Sequence, residues 1–373
     1  MTDPAVDTTS GEPGEGSEAP PEPKSLGRKI LSNTITIGLV IAIFVFLVPK
    51  LEEADLSEVA SYLTWERVLV ALLLGGLNLT TNWPPMVIAL PGLRYREAAV
   101  SNLGPAAVSN TVPEGGAVAT GLVVAMQRSW GFPLPAITLA FLVTGLWTNV
   151  VRYSITAAAL LVYALSDADS SQLITFAVIL VAAVIVIFVL LVLVFRSATF
   201  AERLGRGASR PAGWVLEPFH RPPPDLAATL VDFRTRTIDL VRTRWKGLTV
   251  SMTISQLSMA LVLLVCVRMV GVDNSVVSVA KVIVAWGAVS FASILVPVPG
   301  GIGVAEVVLV GVLTAGLPPQ YTTPITAAVV LYRMATWLLP IPLGAGAYLF
   351  WRYNHSWRAE PGTRERGSEA MTS

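Results

Sequence analysis

Two stretches of this chain repeat one unusual order. Each has an apolar run, a proline with paired glycines, a second apolar run, a Gly-x-Pro stop, and a long apolar segment holding one arginine. The first copy runs through Val112-Pro113-Glu114-Gly115-Gly116, Gly131-Phe132-Pro133 and Arg152, and the second through Val298-Pro299-Gly300-Gly301, Gly316-Leu317-Pro318 and Arg333. Gly115 to Gly300 and Gly131 to Gly316 are both 185 residues apart (300−115 and 316−131), while the arginines are 181 apart (333−152) and need a small gap. A helix interrupted by proline and glycine leaves backbone groups that lipid cannot satisfy, so the break must be buried in protein or line a polar cavity. A duplicated break marks an internal repeat whose two halves build one central site.

The composition places this repeat in a membrane. Hydrophobic residues are 53% of the 373 and charged residues 14%, with mean hydropathy +0.65; the apolar runs are too long and too free of charge for one soluble core to cover. Segments near 30–49, 66–90, 134–165, 171–195, 247–271 and 320–351 reach the ~20 residues needed to cross hydrocarbon. Segments 95–129 and 277–316, each cut by a Pro/Gly-Gly element, read as re-entrant or broken helical hairpins. The expected fold class is an all-α polytopic membrane protein with about six full spans and two hairpins arranged as an inverted repeat. Cys266 is the single cysteine and His220 and His355 the only histidines, so neither a disulfide framework nor a metal site is expected, and no cofactor.

Loop charges set the orientation. Lys24, Arg28, Lys29, Arg94, Arg96, Arg128, the many arginines from Arg196 to Arg244, Arg352 and Arg358 fall on one side of this map. Glu52, Glu53, Asp55, Glu58, Asp167, Asp169 and Asp273 fall on the other, with Lys50. The positive-inside rule then makes the chain a multi-pass cell-membrane protein with both termini cytoplasmic. The same map sends the first hairpin in from the cytoplasm and the second from outside, which is what inverts the repeat.

Three regions follow. Residues 1–29 form a Pro, Gly, Ser and Glu-rich cytoplasmic tail expected to be disordered, 30–352 the membrane domain with a cytoplasmic loop at 196–246, and 353–373 a cytoplasmic C-terminal tail. Within the loop, Leu226, Leu230, Phe233, Leu240 and Val241 share one face at helical spacing, which reads as a helix on the inner leaflet or, more plainly, as a soluble connector.

The site argument begins with half-helices in lipid. If the second limb of each hairpin starts at Gly115-Gly116 or Gly300-Gly301, its first N–H groups lack intrahelical partners and carry the positive end of the helix dipole. An anionic headgroup is their natural partner. Arg152 and Arg333 lie near the middles of long apolar segments, where an unpaired guanidinium costs at least ~2.5–3.5 kcal/mol. Glu114 and Glu306 offer structural ion pairs with them; the arginines can equally hold a lipid phosphate in a bidentate fork while the glutamates position them. Ser109, Asn110 and Asn149, with Asn78, Asn82, Ser101 and Asn102, suggest a hydrated cavity on the side of the first repeat. Lys281, near the outer surface, is expected to snorkel.

The run Val108-Ser109-Asn110-Thr111-Val112-Pro113 with Gly115-Gly116, and above all Pro297-Val298-Pro299-Gly300-Gly301-Ile302-Gly303-Val304-Ala305-Glu306 with Leu331-Tyr332-Arg333, resembles the transmembrane region of lysylphosphatidylglycerol synthase and its stand-alone, flippase-like relatives. The resemblance covers about residues 30–352. It implies movement of a phospholipid or lipid-linked anionic headgroup between leaflets, with membrane lipids as partners, no nucleic acid, and no enzyme activity, since the soluble synthase domain has no counterpart here. Two other readings stand beside it. One is an intramembrane transferase using Glu114 or Glu306. The other is a non-transporting partner of an envelope-synthesis enzyme.

Overall fold

The computed structural model describes residues 56–112, 115–166, 226–295 and 299–359, with scattered helical residues between 175 and 203. The expectations for the N-terminal tail, for the span at 30–49, for most of the span at 171–195, for the loop up to 225, for Glu114 and for the end of the C-terminal tail lie outside them. Among the described residues the chain is helical: α1 (Leu56–Tyr62), α2 (Trp65–Thr81), α3 (Trp83–Ala89), α4 (Tyr95–Thr111), α5 (Gly115–Ser129), α6 (Leu134–Ser166), α7 (Leu226–Met269), α8 (Val279–Leu295), α9 (Val304–Thr314), α10 (Thr322–Arg333) and α11 (Pro340–Tyr353). Three stretches, Leu134–Ser166, Thr243–Met269 and Pro319–Tyr353, are long and apolar enough to cross a membrane. The protein is an all-α, polytopic membrane protein.

Both hairpins form, α4 against α5 and α8 against α9. Their limbs have 17, 15, 17 and 11 residues. At ~1.5 Å per residue these reach only ~16–25 Å, short of the ~30 Å hydrocarbon core. Each closes on the Gly-x-Pro element seen in the sequence. Gly131 and Gly316 take φ of 92° and 73°, left-handed values that suit a residue without Cβ. Phe132 N–H then reaches back to the Gln127 carbonyl at 3.2 Å, a Schellman stop that satisfies a carbonyl the helix leaves open.

The repeats interlock. The first limb of hairpin one, α4, packs on α11 from the second repeat, and the first limb of hairpin two, α8, packs on α6 from the first. Small residues make both crossings: a Cβ on Gly344 would lie 2.2 Å from the Leu103 carbonyl oxygen, and one on Gly287 would lie 2.1 Å from Thr156 Oγ1. Between lipid-soluble helices, such close backbone approach supplies the dispersion contact that the hydrophobic effect does not. Helix α7 joins the halves. Its Leu248 belongs to the apolar core of α3 to α6, whereas Ala260, Val262, Leu263, Cys266 and Val267 belong to the core built with α8, α9 and α10.

Four boundaries differ from the sequence expectation. The span at 66–90 is two helices that meet at Asn82, just before Pro84 and Pro85. The basic stretch 226–246 is helical but not a separate element; it runs unbroken into the span, giving a 44-residue helix. The second limb of hairpin two starts at Val304 rather than at Gly300-Gly301, because Gly300, Gly301 and Gly303 all have positive φ, which a right-handed helix cannot contain. The last span carries a π-turn at Met334–Leu338, with Leu339 N–H bonding the Met334 carbonyl at 3.0 Å. Pro340 and Pro342 lack the N–H groups that the Thr336 and Leu338 carbonyls would use, and the wider turn accommodates this loss. A Cβ on Gly75 of α2 would lie 2.5 Å from the Ala335 carbonyl oxygen, so α2 closes directly on that turn.

Candidate functional site

A cavity of 310 Å³ opens beside Arg152, walled by α3, α4, α5, α6 and α7 and by Asn82. It lies along α7 at Met252–Gln256, between the two apolar cores. Asn82, Ser101, Asn102, Thr148, Ser255 and Gln256 line it, and among the described residues Arg152 is the only charged one in its walls. Met86, Val123 and Phe141 supply an apolar side.

Arg152 is held by α7, the helix that joins the halves, and by α8 of the second repeat. Its Nε donates to Gln256 Oε1 at 2.9 Å and one Nη to Ser290 Oγ at 3.1 Å, and its guanidinium sits 5.8 Å from the Trp286 ring centroid. These contacts fix the guanidinium plane without neutralising it. Among the described residues no carboxylate pairs with Arg152; Glu114, the partner expected from sequence, lies outside them. A cation over an aromatic face gains ~0.5–2 kcal/mol, less than a charge in this setting requires.

Arg333 is placed differently. Its Nε donates to Glu306 Oε1 at 2.6 Å and an Nη to the Gly300 carbonyl at 2.8 Å, and it lies 5.6 Å from the centre of Trp337. The ion pair anticipated from the sequence is therefore present in the second repeat. Trp337 also ties the two hairpin tips together: its Nε1 donates to the Asn110 carbonyl at 3.3 Å, Asn110 Nδ2 donates to the Trp337 carbonyl at 3.1 Å, and a Cβ on Gly300 would lie 2.3 Å from Nε1.

The paired glycines do not converge on the cavity. Gly115 N–H bonds the Val112 carbonyl at 2.8 Å, and a Cβ there would meet the Val108 carbonyl oxygen at 2.5 Å, so Gly115 lets the two limbs touch. Gly116 is exposed with open space around its Cα. Gly300 presents its carbonyl, an acceptor, to Arg333, and Gly301 takes φ 63° in the turn before α9. Asn149 is exposed and donates to Gly145 of its own helix at 2.9 Å; Ser109 lies behind Gly115 in the limb contact. Lys281 corrects the snorkelling expectation. It is 5% exposed and its Nζ donates to the Ala315 carbonyl at 2.7 Å, where a cation suits the C-terminal end of α9.

Sequence reasoning missed the polar stripe of α7. Thr249 accepts from Trp147 Nε1, Met252 Sδ from Thr148, Gln256 from Arg152, and Ser258 from Asn78, while Ser255 donates to Asn82 Oδ1. These positions recur at three- and four-residue spacing within an apolar span, a helical period readable in Thr249, Met252, Ser255, Gln256 and Ser258.

Interlocked broken hairpins around a polar cavity with one fixed cation define a polytopic membrane protein with a polar site between its helices. The family model of the lysylphosphatidylglycerol synthase TM region matches residues 33–344, and the chain belongs to that family. No curated protein and no solved structure matches it.

Proposed function

We propose that this protein is a lipid transporter of the flippase type, moving lipids with an anionic headgroup between leaflets, and that it is not an enzyme. Arg152 carries the reading: a guanidinium fixed at mid-helix, facing a polar cavity and unneutralised among the described residues, is completed by an anion. Among the described residues its second Nη has no protein acceptor, so with the Ser290-bound Nη it can grip two phosphate oxygens. The size supports a headgroup rather than a whole lipid, since 310 Å³ sits at the small end of ligand pockets. Acyl chains then stay in the bilayer. Among the described residues the walls carry no carboxylate, histidine or cysteine, which favours passage over bond making.

The test is reconstitution in phosphatidylcholine vesicles with acyl-labelled lipids of several headgroups, followed by quenching with an impermeant reductant. Faster loss of protection for anionic lipids than for phosphatidylcholine is expected. Rates equal to protein-free vesicles for every headgroup would sink the proposal. Cytoplasmic termini belong to the same proposal. Cysteines at Asp55 and Ala168 should label from outside intact cells, and those at Tyr95 and Arg210 should not; Cys266 is buried and gives no background.

A further inference from the structure

The Arg333–Glu306 pair is incomplete. Glu306 uses only Oε1; its Oε2 is buried and, among the described residues, has no hydrogen-bond partner. Oε2 is covered although 29% of the side chain is exposed; a carboxylate oxygen without a donor is disfavoured in a low-dielectric setting, and a proton is the smallest group that relieves it. Among the described residues the surroundings offer no other. Helix α9 has no second titratable side chain; α8 brings only Lys281, bound to Ala315 at the far end of α9; α10 brings Tyr332 and Arg333; and the turn at Pro299–Gly301 brings none. One turn of α8 links the two arginines: Ser290 bonds Arg152, and Ser293 Oγ would lie 3.9 Å from a Cβ on Gly301, next to the Gly300 carbonyl that Arg333 holds.

We infer that Glu306 is a proton site that couples headgroup movement to a proton: the anion held at Arg152 can pass to Arg333 only when Glu306 takes up a proton on Oε2 and releases the guanidinium. The inference rests on the flippase reading. Its logic is charge balance. In the empty state Arg333 and Glu306 sum to zero; with an anionic headgroup on Arg333 and Glu306 protonated, the sum is again zero. An ionised Glu306 beside the bound phosphate would leave a net negative charge in the bilayer interior, which is expensive. The proton comes from the aqueous phase on the side of entry and leaves on the other. No bond to carbon is made or broken.

One proton with each singly charged headgroup makes transport electroneutral and sensitive to pH. In vesicles of phosphatidylcholine containing acyl-labelled phosphatidylglycerol, a one-unit pH gradient should shift the steady-state distribution up to tenfold toward the alkaline leaflet. A potassium diffusion potential imposed with valinomycin should shift nothing. Movement of phosphatidylglycerol that ignores the pH gradient, or that follows the potential, overturns the coupling while leaving the flippase reading intact. No movement of any lipid overturns both. Glu306→Gln should still move lipid but be blind to the gradient; a variant that follows it, or that folds and moves nothing, removes Glu306 from the role. If that variant does not fold, infrared difference spectra of the native protein with isotope-labelled glutamate decide. Adding phosphatidylglycerol should produce a protonated-carboxyl band, and its absence overturns the inference.

Discussion

Arg152 offers the sharpest separation between a binding residue and a structural one. Its protein contacts are two hydrogen bonds to neutral acceptors and one aromatic face. At ~1 kcal/mol net per ordinary bond, and up to ~3 where a charge is involved, they contribute roughly 2–6 kcal/mol to tying α6 to α7 and α8. Against this, a guanidinium at mid-membrane costs at least ~2.5–3.5 kcal/mol. The two nearly cancel, so Arg152→Gln, which removes the charge and keeps an amide able to bond Ser290 or Gln256, should change thermal stability little. Binding behaves otherwise. Losing charge-assisted contacts to a phosphate at ~1.5–3 kcal/mol each lowers affinity for anionic lipid by roughly 10- to 150-fold per contact. Arg152→Lys should fall between, since lysine keeps the charge but not the planar fork.

The assay pairs anionic-lipid translocation in vesicles with unfolding temperature in detergent. Activity in the order Arg, Lys, Gln with constant unfolding temperature is expected. An Arg152→Gln protein within threefold of native activity, or one whose activity loss tracks its melting, would refute the argument.

Three other outcomes follow from the geometry. Glu306→Ala strands the Arg333 guanidinium and should cost ~3–5 kcal/mol, read as lost expression, which Arg333→Met in the same chain should largely restore. Gly287→Ala drives a Cβ into Thr156 and should lower the unfolding temperature by the equivalent of ~1–3 kcal/mol, with Thr156→Gly relieving it; unchanged stability would mean that α6 and α8 do not cross there. A cysteine at Lys281 should resist impermeant maleimide from either side, whereas a snorkelling position would label.

Much of the architecture was written in the repeated Pro/Gly elements, because a broken helix in lipid has few solutions. The hairpins, their Gly-x-Pro stops and the Arg333–Glu306 pair all follow from local chemistry at Gly131, Gly316 and Glu306. The π-turn was less accessible, since Pro340 says that a carbonyl is freed but not how the chain absorbs it. The cavity was legible in part: Asn82, Ser101 and Asn102, read from sequence as polar lining, do line it, whereas Asn78, Ser109, Asn110 and Asn149 do not, and the α7 wall was not foreseen. Its walls come from elements far apart in sequence, and single Ser, Thr and Gln residues on α7 look like self-bonded side chains until α6 and α2 are laid against them. Gly300 and Gly301 misled for a specific reason. Two glycines after a proline open a helix in right-handed backbone and make a turn in left-handed backbone, and sequence does not choose between them.

The repeat itself points to why the two arginines differ. Related positions in a duplicated fold begin with equivalent surroundings, yet Arg152 is held by neutral partners on the joining helix and the opposite repeat, and Arg333 by a carboxylate from its own. A symmetric site with two unneutralised cations would hold an anion tightly and release it slowly, and transport needs release as much as capture. Two neutralised cations would hold none. One cation kept open and one closed by a removable counter-charge lets an anion bind at the first and be offered a second place only when that counter-charge is withdrawn. On this argument the asymmetry is functional: grafting a carboxylate opposite Arg152, as in Gln256→Glu, should close the first site and abolish anionic-lipid movement while the protein stays folded.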